Sequence, residues 1–196
     1  MVFIAPLIMF LCAAYFIPLI GVLAWSFTQP TLGISNYTAI ATDSGIQAIL
    51  WRTFRICLMT GLAATAMAYL LAYQWVYGPP LRRRFIELAI LVPFWISVLI
   101  RAFGWLVLLR PNGLINEALM AMGLVRDPIP LVRNELGVVI GMTQYMVPFA
   151  FFPLVAVMRQ IDGRILQAAR GMGAGAIRRF FEVFLPLSLP GIVGAF

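Results

Sequence analysis

Of 196 residues, 63% are hydrophobic and only 11% charged, a balance that excludes an ordinary soluble domain, in which about a quarter of residues carry charge. The net charge of +7 rests on fourteen basic residues with no lysine among them, so every one is arginine, and Arg clusters between apolar runs mark a cytoplasmic face rather than a nucleic-acid partner. There is no His, and the two cysteines, Cys12 and Cys57, sit apart inside apolar runs, which leaves no metal-ligand set and no disulfide framework.

The first apolar run, residues 3–27, lacks a basic leader and is too long for the core of a signal peptide, so it reads as a retained membrane span. Pro6 and Pro18 interrupt it, with a kink expected at Pro18, and Trp25 is placed at an interface. Residues 28–49 are polar and turn-rich, and a short interfacial helix is expected at 46–51. A second span, 53–76, carries Ala64, Ala68 and Ala72 at four-residue spacing, with Gly61 and Thr65 on a neighbouring stripe. Small residues at that interval let helices approach closely; a solute track along the same face is the alternative.

Gly78-Pro79-Pro80 ends that span and Arg82-Arg83-Arg84 opens the next, a short basic connection of the kind that stays in the cytoplasm. The third span, 85–109, holds Glu87 near its cytoplasmic end and Arg101 inside the apolar run. A charge at such depth costs about 3 kcal/mol, so Arg101 must snorkel to the headgroups, pair with another helix, or line a watery path. Residues 110–135 form an outer segment with a helical middle at 114–122, ended by Pro128 and Pro130; it folds back on the bundle or serves as a solvated connector.

A fourth span, 136–158, has Gly137 and Gly141 in the GxxxG spacing of close helix packing. Its middle is polar and proline-rich, with Gln144, Tyr145, Pro148 and Pro153. Gln144 and Tyr145 there either bond to a neighbouring helix or line a cavity. With the N-terminus inside, the cytoplasmic segments hold eight Arg against five outside, which favours that orientation. Residues 159–184 then form an arginine-bearing loop. A short amphipathic helix at 165–172, a break at 173–175 and a second helix from Ala176 are expected, both helices lying on the membrane. A fifth apolar run starts at Leu185, with Pro186 and Pro190 at its entry, and the sequence stops at Phe196 before that run is long enough to span.

The loop carries a gapped pattern: Gln167-Ala168-Ala169, three residues, Gly173, nine residues, then Val183, Leu185 and Pro186. It resembles the EAA loop of permease subunits in binding-protein-dependent ABC importers, whose motif reads E-A-A, three residues, G, nine residues, I-x-L-P. Two positions depart from it: Gln167 replaces the family's Glu, so an ion pair becomes a neutral hydrogen bond, and Gly175 replaces a small polar cap. Residues 93–97 and 100–105, with Asn112-Gly113-Leu114-Ile115-Asn116, resemble the spermidine/putrescine class of these permeases.

The resemblance implies an all-α integral membrane protein with the type I ABC importer permease fold, truncated within the fifth transmembrane helix, forming one transmembrane domain in a bacterial inner membrane. It implies a separate ATPase that binds ATP and Mg and docks on Gln167, Ala168, Ala169, Gly173, Ala174, Leu185 and Pro186. A second permease subunit, homo- or heterodimeric, and an extracytoplasmic solute-binding protein complete the set, with polyamines as the solute. Trp95, Arg101, Trp105, Gln144 and Tyr145 are the expected substrate path.

The residues themselves add that no GxxxxGK[ST] loop is present, so energy must come from a partner. With no His and one carboxylate in the spans, an intramembrane enzyme lacks its acid–base pair. Arg101 would repel a cation, so either a partner subunit selects the solute or the solute is an anion or another organic compound; the same importer class carrying an anion, iron or an organic compound is the alternative, and a truncated non-transporting membrane scaffold is the other.

Overall fold

The computed structural model describes residues 5–29 and 32–196, and among them all regular secondary structure is helical. Residues 1–54 and 55–196 form two compact units. The first contains α1 (Ala5–Thr28), α2 (Ser35–Thr42) and the opening turns of α3 (Ser44–Tyr77). Pro6 falls in the first turn of α1, where a missing donor costs nothing, and Pro18 lies inside the helix. The α1–α2 connection is tied by side chains: Asn36 Nδ2 donates to the carbonyls of Ser26 (2.8 Å) and Gln29 (2.6 Å). Tyr37 meets Ser26 Oγ at 2.8 Å and packs its ring 5.1 Å from that of Phe27.

Helix α3 begins nine residues before the expected Thr53, so residues 46–51 are its first turns rather than a separate interfacial helix. The cause is Asp43, whose Oδ1 accepts from the N–H groups of Gly45 (2.7 Å) and Ile46 (3.2 Å) and starts the ladder early. At 34 residues the helix is about 50 Å long and exceeds the hydrocarbon thickness of a bilayer.

The second unit holds the rest of α3, then α4 (Pro80–Trp95), α5 (Val98–Leu108), α6 (Leu114–Ala121), α7 (Glu135–Met158), α8 (Gly163–Gly171), α9 (Ala176–Arg179), a π-helical turn (Phe180–Phe184) and α10 (Leu185–Ala195). The expected third span is not one helix: α4 and α5 meet at a 107° bend. Pro93 removes a donor from the last turn of α4, Ile96 N–H reaches back only to the Pro93 carbonyl (3.3 Å), and Ser97 turns extended before α5 starts. Among the described residues three helices, α1, α3 and α7, are long and apolar enough to cross a membrane, and the bent pair, taken as one, would make a fourth span.

In lipid, apolar burial does not drive helices together; close contact and internal hydrogen bonds do. Ala64, Ala68 and Ala72 are buried, as the small-residue stripe requires, and Tyr69, Tyr73 and Tyr77 of the same helix pack edge-on against Phe180 and Phe184. Tyr69 also shares a buried 2.8 Å hydrogen bond with Ser188 of α10, whose hydroxyl lies 2.9 Å from the Leu185 carbonyl. Helices α7 and α10 cross at Gly191, where an added Cβ would lie 3.0 Å from Val157 Cβ and 3.4 Å from Leu154 Cα. A larger residue there would need Val157 to give by a few tenths of an ångström.

The two glycines of the GxxxG pair of α7 have different uses. A Cβ on Gly137 would fall 1.9 Å from the Leu131 carbonyl oxygen, so this glycine admits the preceding loop, while Gly141 faces the Trp105 ring at 3.8 Å.

Candidate functional site

Helix α8 is set off from the bundle by caps at both ends. Asp162 takes the Arg164 N–H on its side chain at 2.9 Å. At the far end, Gly173 N–H bonds the Arg170 carbonyl (3.0 Å) and Ala174 N–H bonds the Ala169 carbonyl (3.1 Å), with Gly173 at φ +86°. This is the Schellman arrangement, and the left-handed residue it needs is costly for anything but glycine. The expected break at 173–175 therefore has a specific geometry.

The caps fix which residues face outward. Gln167, Ala168 and Gly173 are exposed, Leu166 and Ala174 half-buried, and Ala169 buried. Ala169 cannot be touched by another protein in this arrangement; its small side chain seats α8 on its own chain. Also exposed in this loop are Met172 (82%), Ile177 (76%) and Phe181 (60%), of which Ile177 and Phe181 share one surface; sequence reasoning missed all three. Arg178 and Glu182 pair at 2.8 Å on the same surface.

The second loop helix differs from expectation. Residues 176–195 are helical without a break, so α9 and the π turn are the opening turns of the run that continues as α10, and α8 alone is a discrete surface helix. Within that run Leu185 N–H bonds the Phe180 carbonyl, one residue wider than an α-turn. The widening precedes Pro186, which has no N–H to offer and whose ring would crowd the Glu182 carbonyl in α register. Leu185 is half-buried and Pro186 exposed in the first turn of α10.

The loop leaves from a braced end of the bundle. Trp75 Nε1 donates to Glu87 Oε1 at 3.0 Å, the Arg83 guanidinium lies 3.8 Å from the Trp75 ring centroid, and Arg83 Nε is 3.5 Å from Glu87. Arg159, the first residue after α7, approaches the same ring at 5.8 Å, and Tyr77 donates to the Met158 carbonyl at 3.2 Å. The ends of α3 and α7 and the start of α4 are thus held as one piece where the chain turns toward α8.

A cavity of about 610 Å³ lies between α5, α7 and residues 131–134. It brings together Arg101, Trp105, Gln144 and Tyr145. Trp95 is not with them: it stands 82% exposed at the end of α4, edge-on to Phe94. Trp105 Nε1 points to Gln144 Oε1 at 3.4 Å, so Gln144 both bridges α5 to α7 and lines the cavity. Arg101 Nη2 donates to the Ile96 carbonyl (2.9 Å), one of those exposed by the α4–α5 bend, and its guanidinium lies 5.3 Å from the Tyr145 ring.

Two further residues organise the cavity wall. Arg133 lines it from a left-handed backbone, φ +61°, a conformation with no local sequence signature. Asn116, fully buried on α6, donates to the carbonyls of Arg110 and Ile129 (3.0 Å each) and accepts from Ile129 N–H (2.9 Å). It clasps the outer segment, so residues 110–135 are a folded structure and not a solvated connector.

Comparison with known proteins places this geometry. No family model matches the sequence. The spermidine/putrescine transport system permease protein PotB of Haemophilus influenzae is 32% identical over 160 residues, 82% of this chain and 56% of that protein. The protein of the same name in Escherichia coli K12 is 29% identical over 86% of this chain and 61% of its own length. The inner membrane ABC transporter permease protein YdcU of Escherichia coli K12 is 27% identical over 83% of this chain and 56% of its own length. The chain thus spans between 56% and 61% of the length of these curated relatives. Among solved structures, a bacterial ABC transporter involved in import of the acidic polysaccharide alginate superposes with a TM-score of 0.72, covering 97% of this chain and 68% of that one at 19% identity, which speaks to fold alone. By sequence over four-fifths of its length, and by an all-helical fold shared with a solved ABC importer, the chain belongs to the family of ABC-transporter permease subunits.

Proposed function

We propose that this chain is part of the membrane-spanning permease of an ATP-driven importer and that α8 is the element through which a separate ATPase drives it. The observation that carries the reading is the capped surface helix itself, presenting Gln167 and Ala168 outward, with Met172, Ile177 and Phe181 exposed in the same loop. ATP and Mg would be bound by that partner, since the sequence has no phosphate-binding loop of its own. A second permease chain and an extracytoplasmic binding protein complete the machine, in a bacterial inner membrane with the N-terminus in the cytoplasm. Movement imposed on α8 passes through two routes, the Trp75–Arg83–Glu87 brace and the unbroken helix from α9 into α10.

Replacing Gly173 with valine tests the coupling role. A β-branched residue at φ +86° is strained by about 1–2 kcal/mol, enough to break the Schellman end and rotate the outward face. Solute uptake in cells carrying the whole transporter is expected to fall at least about tenfold, a loss equivalent to about 1.4 kcal/mol, at unchanged membrane abundance. Uptake equal to the unmodified protein would remove α8 from the mechanism.

For the solute, the relatives' names offer spermidine and putrescine. One observation favours a second reading, the same machine carrying an anion or another organic compound. Arg101 and Arg133 line the cavity, no acidic residue is among its described lining, and Arg101 already lies over the Tyr145 ring a cation could have used. Uptake of radiolabelled polyamines measured against sulfate and iron separates the two.

A further inference from the structure

We infer that the cavity between α5, α7 and residues 131–134 binds an anionic amphiphile, its apolar chain against the cavity walls and its phosphate or carboxylate head between Arg101 and Arg133. The walls suit the chain: Val98, Ala102, Leu106, Val138 and Met142 supply aliphatic surface, and about 610 Å³ is the size of a small-ligand site. The head has donors waiting. Arg101 spends Nη2 on the Ile96 carbonyl, while its Nε and Nη1 are shut away from solvent with no acceptor in the protein. A buried donor left unpaired costs free energy that an incoming oxygen recovers once the guanidinium turns to present it to the cavity.

Arg133 makes the second point of attachment. It is held at φ +61°, a backbone state that costs a non-glycine residue energy, and it is one of the residues that line the same space. The acidic residue nearest in sequence that could have neutralised the site is Glu135, and Glu135 is engaged by Arg55. The two arginines that line this apolar trough thus have no counter-charge among the cavity's described lining. A cationic ligand would meet repulsion there, and a neutral acceptor would give Arg101 a weaker hydrogen bond than an anionic one.

The inference does not depend on the transport reading, because binding is measured without an ATPase. The full chain in dodecyl maltoside would be titrated with dodecyl phosphate, with dodecyltrimethylammonium as the probe of equal chain and opposite charge. Saturable binding of the phosphate probe is expected, with none of the cationic probe. In Arg133→Gly, which removes the charge while relieving the left-handed strain and so preserves the fold, affinity should fall roughly ten- to hundredfold. Arg101→Gln should weaken it likewise.

Binding of the cationic probe as tight as that of the phosphate, or unchanged affinity in both variants, would overturn the inference. Repeating the titration in phosphatidylcholine nanodiscs with and without phosphatidylglycerol identifies the natural source. Competition by phosphatidylglycerol assigns the site to a membrane lipid, and equal affinity in both assigns it to an anion arriving from water.

Discussion

Replacing Asn116 with leucine should destabilise the chain by about 3 kcal/mol or more, because three backbone groups lose their partner at once. The Ile129 N–H and the carbonyls of Arg110 and Ile129 would be left facing an aliphatic side chain in a place water does not reach. Aspartate should not rescue it: its carboxylate can still accept from Ile129 N–H but stands against two carbonyls to which asparagine donates. The consequence reaches the cavity, because the clasp at Ile129 precedes the 131–134 wall that carries Arg133. Thermal unfolding in detergent should show a lowered midpoint for both variants. Trypsin should cut sooner after Arg126 and Arg133, while an unaltered midpoint and unaltered cleavage would show that the clasp does not hold the segment.

Gly137→Ala is expected to cost about 2–4 kcal/mol, an effect of the overpacking kind against an atom that cannot swing aside. The new Cβ would sit 1.9 Å from the Leu131 carbonyl oxygen, so the backbone of residues 131–134 must move. That movement also strips α7 of its N-cap, in which Asn134 Oδ1 accepts from Gly137 N–H at 2.8 Å while its Nδ2 donates to the Pro130 carbonyl. Gly141→Ala gives the contrast. Its nearest neighbour would be Trp105 at 3.8 Å, an ordinary contact, and alanine favours a helix interior by up to about 1 kcal/mol over glycine. Unfolding midpoints should drop for the first and hold or rise for the second. Equal losses at both positions would restore the interhelical reading of the GxxxG spacing.

The pattern of what could be read from the chain follows from where each signal lies. Residues whose meaning is local are legible: the buried Ala64, Ala68 and Ala72 stripe, the break at Gly78-Pro79-Pro80 between α3 and α4 and the glycine turn after α8 all follow from spacing and from what proline and glycine permit. Boundaries set by one cap were misjudged, as at Asp43, which starts α3 early with a single carboxylate. The α4–α5 bend escaped a reading by hydropathy because both sides of it are apolar; the sign was Pro93, three residues ahead of the break.

The cavity was half legible. Polar residues within apolar runs, Arg101, Gln144 and Tyr145, drew notice because their burial is costly, and they do line one space. Trp95 resembles them by residue type, yet it lies at the end of α4, across a bend that hydropathy does not reveal. Arg133 gave no warning, since a left-handed arginine is a product of the clasped segment around it and not of its neighbours in sequence. Ala169 shows the same limit on α8, where helical phase, fixed by the two caps, decides which of two adjacent alanines faces out.

The coupling account stands or falls on which side of the membrane α8 faces. Cysteine placed at exposed Ala168, in a chain whose Cys12 and Cys57 have been changed to serine, can be labelled with a maleimide that does not cross membranes. Labelling is predicted in inside-out vesicles and not in right-side-out vesicles, and it should diminish when the ATPase partner is bound. Labelling from the outer side would contradict the account outright.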